Sequence, residues 1–414
     1  MVEHFFRRNY GRLVATLTRQ VGVRHVELVE DAVQTALMTA LTAWAANGLP
    51  EDPEGWLYRV AHNSLIGALR KDTGRQRLLE AGAHELTAAV ANPGTPSYDD
   101  EEELLRMLFV CCDEAIPRDS RLVLALKTLC GFSTAEIALR LFLSEANVQK
   151  RLGRARDRLR QAPPDFDTLP LAALRSRVPS VHVVLYLLFN EGYLSARSDQ
   201  AIRRELCDEA IRLTTLLAAH PVGATPETFA LLALMHLHGA RLAARLDGMG
   251  ALLLLEEQDR SLWDQDQLRL GAVWLERAAS GETFTRFHAE AGIAAEHALA
   301  ASFAETRWSE IAELYVMLDR IAPSPLNAMN RAVALTEWQG PEAGLALLEA
   351  IEPPPWLLGY YLWDAVLGEL HRRAGHNEEA RRHIERALAA APTDAERELL
   401  RRRLASLEVP SQGR

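Results

Sequence analysis

The stretch Ser133-Thr-Ala-Glu-Ile-Ala-Leu-Arg-Leu-Phe-Leu-Ser144-Glu-Ala-Asn-Val-Gln-Lys-Arg-Leu-Gly-Arg-Ala-Arg-Asp-Arg-Leu-Arg160 contains two helix starts in quick succession. Ser133 followed by Glu136 is a capping box, and Ser144 is a second N-cap residue. The first helix is short, ends near Leu141, and offers Ile137, Ala138 and Leu141 to a core. The second runs to about Arg160 and offers Val148, Leu152, Ala155 and Leu159, a single apolar stripe at helical spacing. One residue earlier runs an outward row, Asn147, Arg151, Arg154 and Arg158, which Lys150 and Arg156 widen. A helix that buries one face on a short partner and turns a basic face outward predicts a helix-turn-helix whose second helix enters a DNA major groove. Arginine pairs bidentately with guanine, and arginine and lysine both anchor phosphates. A merely solvated charged face is the bland alternative. It fits less well, because residues 140–160 hold seven basic residues and only two acids, Glu145 and Asp157. Phe142 stands where such turns often have glycine, which predicts a wider turn.

Outward from this motif, nearly every periodic segment reads as helix, with prolines and glycines between segments, so the chain is expected to be all-α. A helix is expected over about Val26–Ala46, its apolar face formed by Val26, Val29, Val33, Leu37, Leu41 and Trp44. The loop Asn47–Asp52 follows; Asp52 is a candidate N-cap and Pro53 suits the first helical position. The next helix, to about Lys71, carries Trp56 and Tyr58 among the cations Arg59, Arg70 and Lys71, with Arg75 and Arg77 just beyond. Aromatic faces interleaved with cations suit single-stranded DNA, although aromatics at helical spacing equally suit a core.

The 414 residues predict two or three domains, and 48% hydrophobic content is ample for buried cores. Net charge is −10, yet residues 1–166 carry 21 Lys+Arg against 22 Asp+Glu, so nearly all the negative excess lies beyond them. The basic helix therefore stands on a neutral background. No uninterrupted apolar run of spanning length and no secretory leader is read, which predicts a cytoplasmic protein without a membrane partner. The four cysteines, Cys111, Cys112, Cys130 and Cys207, are too few and too irregular for a disulfide framework and read as buried thiols.

Four segments result: a helical block over 1–76, a linker over 77–103 with the acidic run Asp99–Glu103, the helix-turn-helix block over 104–161, and a helical array over 168–414. Within the array, Gly340-Pro-Glu-Ala and Gly375-His-Asn-Glu-Glu-Ala each separate two helical segments. Leu367-Gly368, Ala380, Ile384, Ala387 and Pro392 follow the order of a tetratricopeptide repeat, which predicts such helices over about 327–408.

Glu30-Asp31-x-Val33-Gln34 followed by Trp56-Leu-Tyr-Arg-Val-Ala-x-Asn63 resembles region two of the extracytoplasmic-function sigma factors, and the helix-turn-helix resembles their region four. The likeness covers about residues 1–161. Leu255-Glu-Glu-Gln-Asp-Arg-Ser-Leu-Trp-Asp264 and Pro323-Ser-Pro-x-x-x-x-Asn330-Arg-Ala-Val333 look like stretches of the large subgroup that ends in tetratricopeptide-like helices, and Phe142 also looks like that subgroup. The resemblance implies that Asp31 and Gln34 dock on the clamp of the polymerase β′ subunit. It implies that the Asn47–Asp52 loop with Trp56, Arg59, Asn63, Arg70 and Lys71 melts and reads the minus-ten promoter element. The minus-thirty-five element would be read by Glu145, Asn147, Lys150, Arg151, Arg154 and Arg158. Thr35 and Gly67 depart from the residues the family often has there, Glu and Asp.

Other functions fare worse. No phosphate-cradling loop, Gly-x-Ser-x-Gly or His-Glu-x-x-His occurs, so no catalytic residue, metal site or cofactor is expected and the chain reads as no enzyme. His236 and His238 point to different helix faces, and His288 and His297 are loosely aligned. The Glu256–Arg260 cluster suits an interhelical loop as well as acid–base work. A helix-turn-helix regulator with a helical sensor domain that never engages polymerase is the main competitor, but it gives no role to the aromatic–basic pattern of the first block. The acidic third block is expected to be a regulatory interaction domain. It acts either as an intramolecular brake over the basic helix or as an activating arm towards polymerase, and the resemblance favours the arm.

Overall fold

A computed structural model describes residues 2–77, 100–141, 143–164, 169–195 and 201–407. Phe142 and most of the linker stretch lie outside the described residues. The fold is all-α, as expected; the β feature among the described residues is one isolated bridge between Leu246 and Leu252. The chain forms two compact units, Met1–Leu188 and Phe189–Arg414.

The N-terminal unit opens with α1 (Val2–Val21), α2 (Val26–Asn47) and α3 (Pro53–Arg77). Their core holds Leu13, Val14, Leu17, Val29, Val33, Leu57 and Leu65. The buried stripe of α2 is Val26, Val29, Val33, Ala36 and Ala40. Leu41, expected inside, is 49% exposed, because the stripe drifts past it as the small alanines let α2 lie close to its neighbours. The loop between α2 and α3 starts at Gly48, whose φ of 79° lets its N–H reach back to the Trp44 carbonyl at 3.0 Å. Asp52 caps α3 by accepting from the Gly55 N–H at 2.9 Å.

The unit continues with α4 (Asp100–Cys111), α5 (Arg118–Thr128), α6 (Thr134–Arg140), α7 (Glu145–Gln161) and α8 (Leu171–Tyr193). The sequence suggests separate first and second blocks; packing joins them. A Cβ built on Gly11 of α1 would lie 2.5 Å from the Leu129 carbonyl oxygen, so only glycine permits this approach of α1 to the end of α5. Arg19 of α1 pairs with Glu103 of α4. All four cysteines are buried and unpaired with one another, and burial pushes the Cys112 thiol up to about 12.

Helix α8 is long and apolar enough by composition to cross a membrane. Its uninterrupted apolar run, Val181–Phe189, is far shorter than a membrane span once His182 is set aside, and Arg175, Arg177 and Glu191 flank it. Its residues Leu174, Val178, Val181, Leu185 and Leu188 are buried, and Arg177 donates to the Phe109 carbonyl at 3.1 Å and to Asp113 at 2.5 Å. That is the pattern of a core helix. The division between the compact units falls inside α8, later than residue 168, because α8 is anchored on α4 through Arg177.

The C-terminal unit contains α9 (Arg204–Ala219), α10 (Pro226–Gly239), α11 (Gln265–Ala278), α12 (Arg286–Leu299), α13 (Trp308–Ile321), α14 (Pro325–Gln339), α15 (Pro341–Glu349), α16 (Pro355–Leu358), α17 (Tyr361–Arg373), α18 (Asn377–Ala390) and α19 (Asp394–Ser406). Helix α10 is buried on every face from Thr228 to Leu237, which explains its unbroken apolar run. Later helices pair as antiparallel neighbours around separate cores, one containing Ile293, Ile311 and Leu318, another Met329, Leu345 and Trp363. Between α10 and α11 an irregular segment is held by stacked cations: Arg241 and Arg260 lie over Trp263, and Arg245 lies over Tyr193.

Candidate nucleic-acid interface

The α6–α7 motif is built as its sequence dictates. Ser133 Oγ accepts from the Glu136 N–H at 3.1 Å while the Glu136 carboxylate accepts from the Ser133 N–H at 2.7 Å. Ser144 Oγ accepts from the Asn147 N–H at 3.3 Å, so each helix starts with its exposed donors partly satisfied. Val148, Leu152, Ala155 and Leu159 are buried as one stripe, as are Ile137 and Ala138. Burying Leu152 and Leu159 contributes about 1.5–3 kcal/mol each, enough to fix the rotation of α7 about its axis.

That rotation decides which polar residues face outward. Glu145, Asn147, Lys150 and Arg154 are exposed, and Arg151 and Arg158 are half-buried. Among the described residues, Lys150, Arg154 and Arg158 make no side-chain hydrogen bond or ion pair. Arg151 is held by Asn147 Oδ1 at 3.3 Å and by Asp119 of α5 at 3.3 Å. Arg156, expected to widen the row, faces α2 instead. It pairs with Glu27 at 3.0 Å and with Glu30, and Arg160 reaches Glu27 at 3.2 Å. Apart from Asp157, which pairs with Arg160 at 2.5 Å, the acids that compensate α7 come from other helices, where spacing along α7 could not reveal them.

Helix α3 supplies the second surface. Trp56, Arg59, Asn63 and Arg70 fall on one face at helical spacing, with Lys71 beside it. Arg59, Asn63, Arg70 and Lys71 are exposed. Trp56 is half-buried, its ring 5.5 Å from Trp44, which in turn packs on Phe5 and Phe6. Tyr58 is 5% exposed and its hydroxyl accepts from Gln20 at 2.8 Å, so it belongs to the core and offers no stacking face. Gly67 lies on the open side, where an added Cβ would meet nothing within 4 Å.

The outward face of α2 carries Asp31, Gln34, Thr35, Met38 and Leu41, all exposed. Met38 is 65% exposed, and Leu41, expected on the apolar face, is 49% exposed. Glu30, one residue before Asp31, points the other way and is buried, accepting from Thr128 Oγ1 at 2.5 Å as well as pairing with Arg156.

A helix trio with an aromatic–basic face, joined to a capped helix-turn-helix, defines a DNA-binding transcription protein. Comparison with known proteins gives its family. Residues 5–75 match sigma-70 region 2, residues 106–159 match sigma-70, region 4, and residues 177–279 match a family of unknown function, DUF6596. RNA polymerase sigma factor CnrH of Cupriavidus metallidurans is 32% identical over 36% of this chain and 80% of its own length. The probable RNA polymerase sigma factor RfaY of Xanthomonas campestris pv. campestris is 31% identical over 36% of this chain and 39% of its own. An uncharacterized protein of Rhizobium meliloti, R00370, is 36% identical over 92% of this chain and 90% of its length. No solved structure matches. The chain belongs to the sigma-70 family of RNA polymerase sigma factors, with the region-two and region-four composition of the extracytoplasmic-function type.

Proposed function

We propose that this chain is a cytoplasmic sigma subunit that binds core RNA polymerase through the Asp31–Leu41 face of α2 and directs promoter-specific initiation. In this reading the Asn47–Asp52 loop and the Trp56–Lys71 face of α3 melt and read the minus-ten element. Glu145, Asn147, Lys150, Arg151, Arg154 and Arg158 of α7 engage the minus-thirty-five element. The observation that carries the reading is that Lys150, Arg154 and Arg158 make no side-chain hydrogen bond or ion pair among the described residues, on a helix whose rotation is fixed by its buried stripe. The subunit itself needs no cofactor.

The seam between the two regions adds a consequence. The two elements lie about 25 base pairs apart, about 85 Å at roughly 3.4 Å per base pair. Helix α7 is ion-paired to α2 within one compact unit, and helices of this size span only about 25–40 Å. Engaging both elements at once requires this seam to open, and docking of α2 on polymerase is the event that opens it.

The C-terminal unit, in this reading, is a tetratricopeptide-like regulatory domain that acts as an activating arm. Support comes from the α17–α18 hairpin, whose buried Leu367, Gly368, Ala380, Ile384 and Ala387 fall in the order of that repeat. Its partner is polymerase or the N-terminal unit. Run-off transcription with purified core polymerase tests the whole. Promoter-specific transcripts support a sigma subunit, and DNA binding without transcripts overturns it. A chain cut after α8, near residue 195, tests the arm without removing the Arg177 anchor. Lost output with intact core binding supports the arm, and raised output identifies a brake.

A further inference from the structure

Helices α13, α14 and α17 turn one stripe each towards a pocket of about 290 Å³ inside the C-terminal unit. The two stretches that set this half of the chain apart in sequence, 255–264 and 323–333, meet there through Leu255, Glu256, Asn330 and Val333. The wall is mostly apolar. Trp308 packs edge-on against Phe303 and His297, Tyr315 stands two turns further along α13, and Leu254 and Leu255 complete the apolar wall.

Most charges at the wall are matched; the Arg403 Nε, though near Glu369, makes no hydrogen bond among the described residues. Arg373 forks onto Glu337, one of its nitrogens at 3.1 Å. Arg372 forks onto Glu369 at 2.7 and 3.0 Å, and Arg403 lies 3.7 Å from the same carboxylate. Glu256 also lines the pocket, within the field of these three arginines. The wall itself carries Glu256, Glu337 and Glu369 with Arg373 and Arg403, and Arg372, just off the wall, completes the balance, so a ligand with net charge would find no net counter-charge there. Two uncharged polar groups are unspent. Among the described residues the Asn330 amide makes no hydrogen bond, and the buried His297 Nδ1 has no partner. Burial, with Arg241 and Arg260 nearby, lowers the His297 pKa to about 3, so its ring is neutral and offers a hydrogen bond without a charge.

A mainly apolar pocket with a few convergent polar groups is the usual form of a small-molecule site, and this volume is at the lower end of that range. We propose that the pocket binds an uncharged small molecule. Its aromatic or branched apolar body lies among Trp308, Tyr315 and the Leu254–Leu255 segment, and its amide- or carbonyl-type head exchanges hydrogen bonds with Asn330 and His297. An amide head fits best, because the asparagine side chain offers a donor and an acceptor side by side and an amide returns both. The site lies wholly in the C-terminal unit, and its occupancy is read by binding alone, whether or not the chain supports transcription.

Three probes share one ring system and differ in charge: indole-3-acetamide, indole-3-acetate and tryptamine. Each is titrated into the full chain by calorimetry and by saturation-transfer NMR. Indole-3-acetamide is expected to bind saturably with Kd at or below about 1 mM, at least about tenfold tighter than either charged probe. Asn330→Leu, on an exposed position that the fold does not need, should weaken it at least about fivefold. Asn330→Asp should reverse the preference towards tryptamine, a change that mere loss of folding cannot produce. Saturable binding of none of the probes, equal affinity for all three, or affinities unmoved by both substitutions would each overturn the proposal.

Discussion

The Arg156 guanidinium of α7 donates to the Glu30 carboxylate of α2, 126 residues earlier in the chain. The carboxylate is 2% exposed and also accepts from Thr128 Oγ1 at 2.5 Å. A residue of the helix assigned to promoter reading is thereby tied to the buried edge of the helix assigned to polymerase docking. Glu27 and Arg160 continue the same seam at the surface, each about half exposed.

Removing Arg156 leaves Glu30 as a buried carboxylate with one hydroxyl for company. Arg156→Ala is expected to destabilise the N-terminal unit by about 3 kcal/mol, whereas Arg156→Met with Glu30→Leu should recover most of that loss. Hydrogen exchange on the full chain checks this: amides of α2 and α7 should lose protection together in the single variant. Unchanged protection would show that the seam holds nothing. Glu27→Gln removes only an exposed partner, so the fold should tolerate it while the seam loosens by at most about 1 kcal/mol. Polymerase-free chain should then bind a duplex carrying both elements up to about fivefold more tightly and a lone minus-thirty-five duplex as before.

Arg154 and Arg151 separate DNA contact from structure. Arg154 is exposed and unpaired among the described residues, so Arg154→Ala should leave the melting temperature where it is. It should cost about 1–3 kcal/mol in promoter affinity if it reads a base, or lower the salt slope by about one if it holds a phosphate. Arg151 bridges Asn147 and Asp119, so Arg151→Ala should lower both affinity and stability. Fluorescence anisotropy across a salt series, beside thermal melts, distinguishes the two. Equal promoter affinity of the Arg154 variant and the parent chain at every salt concentration would remove α7 as the reader.

What the sequence disclosed and what it hid follow from the range of the forces involved. The caps at Ser133 and Ser144 and the stripe Val148–Leu159 are local, set by residues three or four apart, and they stand where periodicity puts them. Arg156 looked like a member of the outward row because its partners are Glu27 and Glu30, on a helix no local pattern connects to it. Leu41 reads as core because apolar spacing alone cannot tell a buried position from an exposed one. Helix α8 looked like part of the third block, and only the approach of Arg177 to Asp113 ties it to α4. The residues proposed to touch polymerase and DNA come from the family likeness; the geometry adds which of them are free to do so.

Asp31 is exposed at the head of the α2 face that ends in Met38 and Leu41. Asp31→Ala with Gln34→Ala should change folding stability by less than about 0.5 kcal/mol, as surface substitutions do. The same pair should weaken capture of core polymerase at least about tenfold, and Met38→Asp alone should match it, because a charge inserted into an apolar contact is left unpaired. Surface-plasmon measurements on immobilised core enzyme provide the reading. Full affinity in both variants would move the docking surface elsewhere.

The C-terminal unit should lose stability in mild acid. His238 is pushed down to about 3 by burial, then by Arg241, Arg245 and His297 around it; His297 is pushed down to about 3 by burial and then by Arg241 and Arg260. In the unfolded chain both titrate near pH 6.5. Between that value and about 3 the unfolded state binds protons that the folded state refuses, so stability is fully present above pH 6.5 and drains away as pH falls through this window. Each ring adds a slope of up to about 1.4 kcal/mol per pH unit there. His238 packs 5.0 Å from the Tyr193 ring and leaves its Nδ1 unpaired, so His238→Phe keeps the stacking and removes the titration. Melting temperature measured from pH 7 to pH 5 should fall steeply in the parent chain and by visibly less in His238→Phe and His297→Phe. Parallel curves for all three would mean that these rings take up protons in the folded state as readily as in water.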